Sequence, residues 1–199
     1  MSSTRSKRMG NRSGFAGVVD RLRYHEASRQ GLGLVLLLVC AWFTVPAGEG
    51  RIFAGFVLAA LGQLWRIYAA GVIYKNRQLA TTGAYSLLRH PLYFGNFLIL
   101  VGFTLAAGNW IVALVVAFFF GFYYPAAIRY EDQKLENIFG DEWRAWSKGT
   151  PAMFPTSLRW RSNENVEWNA RQSLIRNGEL VYTLFEMCGA VLLWYRAFA

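Results

Sequence analysis

The sequence predicts an all-α protein, a polytopic membrane helical bundle of about five transmembrane helices with a pocket on its cytosolic face. Three observations predict it. Of 199 residues, 54% are hydrophobic and 17% aromatic, which is too apolar for a water-soluble domain of this length. Five apolar segments reach or approach the roughly 20 residues needed to cross a hydrocarbon core about 30 Å thick. The 21 Lys and Arg residues, source of the net charge of +9, lie between those segments and not along one arm or face. That placement speaks for membrane orientation and against nucleic acid as a partner.

Residues 1–30 form a basic cytosolic or interfacial segment. Arg5, Lys7, Arg8, Arg12, Arg21, Arg23 and Arg29 precede any sustained apolar run, a stretch too long for the n-region of a signal peptide, so retention is expected. Within it, 1–14 reads as disordered and 15–30 as a basic amphipathic segment on the headgroups. The integral membrane domain follows at 31–199. Its apolar segments are 31–46, 52–74, 92–107, 110 to about 128, and a C-terminal transmembrane helix at 180–198. Between the third and fourth, Gly108 and Asn109 leave space only for a tight helical hairpin.

Basic residues accumulate on the cytoplasmic side of membranes. With a cytosolic N-terminus, Lys75, Arg77 and Arg89 fall inside, as do Arg129, Lys134, Arg144, Lys148, Arg159, Arg161, Arg171 and Arg176. Arg51 and Arg196 remain outside. The two longer polar segments, 75–91 and 129–179, then share the cytosolic face and can build one pocket. The expected location is a bacterial inner membrane or the endoplasmic reticulum. Cys40 and Cys188 sit in apolar runs without CxxC spacing or a nearby His cluster, so both read as packed or lipid-facing thiols and no metal is expected.

Two motifs carry polar chemistry. In GAYSLLRHPLY (83–93), Pro91 suits the first position of a helix and biases His90 away from helical geometry. His90 therefore stands at the mouth of the third apolar helix, whose free N–H groups and positive dipole end suit an anionic group. A simple helix start, with Arg89 and Tyr93 as interfacial anchors, explains the same residues. In EDQKLENIFGDEW (131–143), helical projection places Glu131 with Ala127, Leu135 and Ile138 on a packed face. Asp132, Lys134 and Glu136 read as solvated charges. Glu131 fits either a ligand site or a salt bridge to Arg89 or Arg77. Phe139-Gly140 ends the helix, and Trp143, Trp146, Pro151, Phe154 and Pro155 mark an aromatic segment folding back onto the membrane surface.

Two charges fall inside spanning segments, at about 2.5–3.5 kcal/mol each on insertion scales. Arg66 shares a face with Gly55, Ala59 and Gly62, a stripe of small residues that permits close helix approach. Counted from the segment ends at about 1.5 Å per residue, Arg66 and Glu186 reach similar depths, so they are expected to pair. Snorkelling of a lone Arg66 to the interface is the alternative.

At the two motifs, and at TPAMFP (150–155), the sequence resembles the isoprenylcysteine carboxyl methyltransferase family and the wider group of small membrane methyltransferases that includes phospholipid methyltransferases. The resemblance covers 75–155 and rests on the order and separation of the three pieces. It implies S-adenosylmethionine as cofactor, bound by Arg77, Gln78, Leu79, Ala80, Tyr85, His90, Pro91, Leu92, Tyr93 and Glu131. It further implies a lipophilic, membrane-associated methyl acceptor; Arg89, His90 and Glu131 are the catalytic candidates, and Arg66, within its spanning segment, and Arg129, near the position of the family's Arg, are the candidates for contacting the acceptor. Where the family usually has a second Glu, this chain has Asp132, and where isoprenylcysteine enzymes place an Arg, it has Ala127. Two other readings fit part of the pattern. Sterol reductases that use NADPH carry a similar Arg-His-Pro-x-Tyr element in a longer chain, and a non-catalytic membrane scaffold would keep the fold without the chemistry.

Overall fold

In the computed structural model, residues 26–199 are described except 47, 75–76, 159 and 163–166, with 26–30 and 32 described by backbone alone. The expected basic segment thus lies, over 1–25, outside the described residues. The chain runs through α1 (Glu26–Trp42), α2 (Glu49–Val72), a short α3 (Ala84–Leu87), α4 (Pro91–Ala107), α5 (Trp110–Phe139), α6 (Asp141–Ser147), a π-helical turn (Gln172–Arg176) and α7 (Glu179–Phe198). The described residues contain no strand.

All five expected apolar segments are helical. Helices α2, α5 and α7, of 24, 30 and 20 residues, are long and apolar enough to cross a membrane. Helices α1 and α4 are shorter, at 17 residues each. Phe53, Phe118 and Val191 are 71%, 72% and 70% exposed, an apolar perimeter that hydrocarbon solvates and water does not. Cys40 is buried in the core with Leu37, Ile52, Ile99, Phe103 and Leu193, while Cys188 is exposed.

The small-residue stripe does what its spacing predicts. A Cβ added at Gly55 would lie 2.5 Å from the Gly102 carbonyl oxygen, and one at Gly102 would lie 2.5 Å from that of Gly55. One turn pair further along, Gly62 would meet the Gly95 carbonyl at 2.8 Å. Helices α2 and α4 therefore touch backbone to backbone, the arrangement that maximises dispersion contact where no water drives association. The next residue of the stripe, Arg66, runs its methylenes across Gly95.

Gly108 makes the α4–α5 hairpin in the left-handed region (φ 62°), with its N–H donating to the Thr104 carbonyl. Asn109 caps α5: its Oδ1 accepts from the N–H of Ile111 at 3.0 Å and of Val112 at 3.4 Å, and its Nδ2 donates to the Phe43 carbonyl. Helix α5 continues unbroken through Pro125 to Gly140.

The two ends of the bundle differ. At one end Arg51 donates to the Val45 carbonyl and Arg196 lies over the Trp42 ring at 5.6 Å. At the other, segments 77–91 and 129–179 interlock, as the sequence pattern anticipates. Gly83 N–H donates to the Arg161 carbonyl, Arg89 N–H to that of Pro151 and His90 N–H to that of Ala152. The stretch 168–177 clamps the C-terminus of α2. Trp168 Nε1 and Ser173 Oγ donate to the Ile67 carbonyl, Asn177 Nδ2 to that of Ala70, Asn169 N–H to that of Gly71, and Gln172 Nε2 to that of Ile73. These are the carbonyls a helix end leaves without intrahelical partners, together with the turn before them.

Candidate active site

A cleft opens at the polar end, among the C-terminal turns of α2, the N-terminus of α4, the polar extension of α5 and the start of α7. The space between these elements, its open mouth included, is about 1180 Å³. From the first motif region Gln78, Leu79, Ala80, Tyr85, Arg89, His90, Pro91, Leu92 and Tyr93 line it. Glu131 and Arg66 do so from α5 and α2. Arg77 and Arg129, named from the resemblance, are exposed and do not line the cleft. Arg129 projects two residues beyond the buried Ala127 on α5, about 200° around the helix, and so onto the opposite face.

Local geometry explains the rest. Pro91 opens α4 with His90 as its N-cap residue, as the His-Pro order predicts. The expected free N–H groups are partly used internally, because Tyr93 and Phe94 N–H turn back onto the His90 carbonyl at 3.0 and 3.2 Å. His90 is buried, stacked on Tyr93 with ring centroids 5.4 Å apart. The Tyr85 hydroxyl is buried without a hydrogen-bond partner. Burial pushes its phenol well above the ordinary value, so it stays protonated, a buried donor on a residue that lines the cleft.

Two expectations about charge pairing are corrected. Asp132 is not a solvated charge. It accepts from Arg89 through Nε (3.3 Å) and a second guanidinium nitrogen (2.8 Å), and meets His90 Nε2 at 2.8 Å, with only 16% of its side chain exposed. Of the two readings of Glu131, the ion pairs among the described residues include none to Arg89 or Arg77, and Lys134 Nζ stands 3.4 Å from it. The loop of the first motif folds against the flank of α5, so the carboxylate on that flank is gathered in while Glu131 faces the cleft. Arg89 also donates to the carbonyls of Ser147 and Thr150, at 3.2 and 2.9 Å, which fastens both motifs and the TPAMFP segment together.

The second correction is Arg66, which pairs with Glu179 and not with Glu186. Its Nε donates to Glu179 Oε2 at 3.0 Å and a terminal nitrogen to Oε1 at 2.8 Å, while its other terminal nitrogen donates to Asn96 Oδ1. The clamp explains the register. By binding the carbonyls of Ile67 and Ala70, it carries the chain down along α2, so that α7 begins level with Arg66 and Glu186 lies about two turns deeper.

Glu179, Asn96, Tyr123, Tyr124 and Asn177 line the cleft and went unread in the sequence, and Trp146, read only as part of an aromatic surface segment, joins them. Asn96 carried a signal, as a lone amide in an otherwise apolar helix.

Replacing Asp132 with Ala is expected to cost about 2 kcal/mol of stability, because it strands two charged donors. Glu131→Ala should cost under about 1 kcal/mol. Thermal unfolding in detergent compares the two, and equal losses would overturn the assignment of Asp132 as the structural carboxylate.

Fold and site together define a class: an all-helical membrane protein with a polar, aromatic-walled cleft at one end. A family model for phospholipid methyltransferase matches residues 29–142, more than half of the chain. The chain belongs to the phospholipid methyltransferase family and is an integral membrane protein of methyltransferase type. It is 42% identical over 108 residues to the cobalt-zinc-cadmium resistance protein CzcN of Cupriavidus metallidurans, a match covering 54% of this chain and 49% of that one. To the nickel-cobalt-cadmium resistance protein NccN of Alcaligenes xylosoxydans xylosoxydans it is 39% identical over 109 residues, covering 54% and 50%. To the protein-S-isoprenylcysteine O-methyltransferase of Schizosaccharomyces pombe it is 26% identical over 144 residues, covering 71% and 58%. The matches thus span about half the length of the two resistance proteins. No solved structure matches the chain.

Proposed function

We propose that this protein methylates a lipophilic, membrane-associated acceptor with S-adenosylmethionine, bound in the cleft from the cytosolic side. One observation carries the reading: the residues that the family resemblance implicates in cofactor binding, Arg77 apart, surround a single cleft. Family membership and the likeness to an isoprenylcysteine O-methyltransferase support the same chemistry.

S-adenosylmethionine, when bound, supplies an electrophilic methyl group on a sulfonium sulfur, and no protein nucleophile is required. The protein's work is alignment and exclusion of water. Glu131 faces the cleft as a carboxylate for an ammonium group. The Tyr85 hydroxyl offers a hydrogen bond, and Leu79, Ala80 and Leu92 offer apolar surface to an adenosine. Asp132 and Arg89 hold His90 in place. The aromatic wall of Tyr93, Tyr123 and Tyr124 presents π faces that stabilise a nearby cation. The acceptor enters sideways between helices.

Incubating the purified protein with methyl-labelled S-adenosylmethionine and a membrane lipid extract, and identifying the labelled product, tests the activity and names the acceptor. Calorimetric titration should show saturable cofactor binding that weakens tenfold or more in folded Glu131→Ala and His90→Ala proteins, the loss of one charged hydrogen bond being about 1.5–3 kcal/mol. Binding of NADPH in its place would sink the proposal.

A further inference from the structure

We propose that Glu179 is a specificity-determining residue: by closing on Arg66 it leaves the inner cleft without free positive charge among the described residues, so that carboxylate acceptors are excluded and acceptors with an uncharged reacting head are admitted. The inference rests on the methyl-transfer reading above and names the acceptor class of that same cleft.

Each of the three nitrogens of the Arg66 guanidinium already donates a hydrogen bond. Two nitrogens are bound by the Glu179 carboxylate, the third by Asn96, and the plane lies 4.7 Å from the centroid of the Tyr182 ring. The pair is buried, with side-chain exposures of 6% and 2%. Gln63 Nε2, 3.4 Å from Glu179 Oε2 and 2.7 Å from Thr183 Oγ1, holds the carboxylate from the far side. The edge formed by Nε and one terminal nitrogen is thus taken by Glu179, whose carboxylate also neutralises the charge.

The other cations of the cleft do not replace it. Arg89 is spent on Asp132 and two carbonyls. Lys134 stands beside Glu131 with 32% of its side chain exposed, at the mouth. Ala127, buried on the inner wall, brings no charge. A carboxylate drawn into this end would give up hydration with no unpaired cation among the described residues to offset it. Methylation of a neutral head forms a bond from its lone pair and breaks the sulfonium S–CH₃ bond, whose electrons stay on sulfur; the head's proton passes to water. A carboxylate would release none.

Binding of two matched probes, dodecanol and dodecanoate, to the protein in lipid nanodiscs, with empty discs as blank, tests the inference without turnover. The wild-type protein is expected to bind dodecanol at least tenfold more tightly. Glu179→Gln should raise dodecanoate affinity at least tenfold and leave dodecanol unchanged, and Glu179→Gln with Arg66→Gln should abolish the gain. Wild-type binding of dodecanoate as tight as that of dodecanol overturns the inference, as does a folded Glu179→Gln protein with an unaltered preference. If that variant does not fold, the wild-type comparison decides alone. Titration with S-adenosylmethionine on the same discs separates the two claims. Loss of probe discrimination with cofactor binding intact defeats only the role of Glu179; discrimination without cofactor binding defeats only methyl transfer.

Discussion

Arg66→Met is expected to lower the unfolding free energy by about 3–5 kcal/mol, the cost of leaving the partner of a buried ion pair unpaired. Glu179 is 1% exposed, and without Arg66 its remaining side-chain partner is the Gln63 amide. Adding Glu179→Met to Arg66→Met should recover most of the loss, because two apolar side chains of similar size need no compensation in a membrane interior. Chemical or thermal unfolding in detergent measures the cycle. If the double variant were as unstable as Arg66→Met alone, the destabilisation would lie in lost packing against Gly95 and Tyr182, and the ion pair would not be its cause.

Gly102→Val is expected to cost about 3 kcal/mol, the upper end of ordinary overpacking, since the atoms it meets are the backbone of Gly55 and Ala59 and cannot rotate away. Even Gly102→Ala should destabilise. Gly121, also within a helix, makes the contrast: a Cβ there meets nothing within 4 Å, and Ala should stabilise by up to about 1 kcal/mol through helix propensity. Unfolding of the three variants side by side checks this. A harmless Gly102→Val would mean that α2 and α4 are not in backbone contact.

Much of this architecture was legible in the residues. Apolar run lengths locate all five long helices, Gly108-Asn109 the hairpin, Gly140 the end of α5, and the Gly55–Ala59–Gly62 spacing the tight α2–α4 seam. The His-Pro order puts His90 at the start of α4. What was not legible is depth and flank. Periodicity says which face of a helix carries Arg66, but not where the next helix begins beside it, and the descent of 168–177 along α2 substitutes Glu179 for Glu186. Projection of α5 identifies Ala127 and Glu131 as inward, but Asp132 is buried by a loop from elsewhere in the chain. Arg77 and Arg129 match a motif neighbourhood, yet proximity in sequence does not turn a side chain into the cleft.

The clamp on α2 also bears on how the protein is made. A helix end inside or beside a bilayer has little water to satisfy its carbonyls, and at α2 those of Ile67, Ala70, Gly71 and Ile73 are met by residues about a hundred positions later. While the ribosome is still synthesising the segment the family model spans, the exit of α2 is therefore raw and the cleft lacks its α7 wall. The stretch 168–179 thus both seals α2 and delivers Glu179 to Arg66. A chain that stops before residue 168 is left with an open helix end and an arginine without its carboxylate partner.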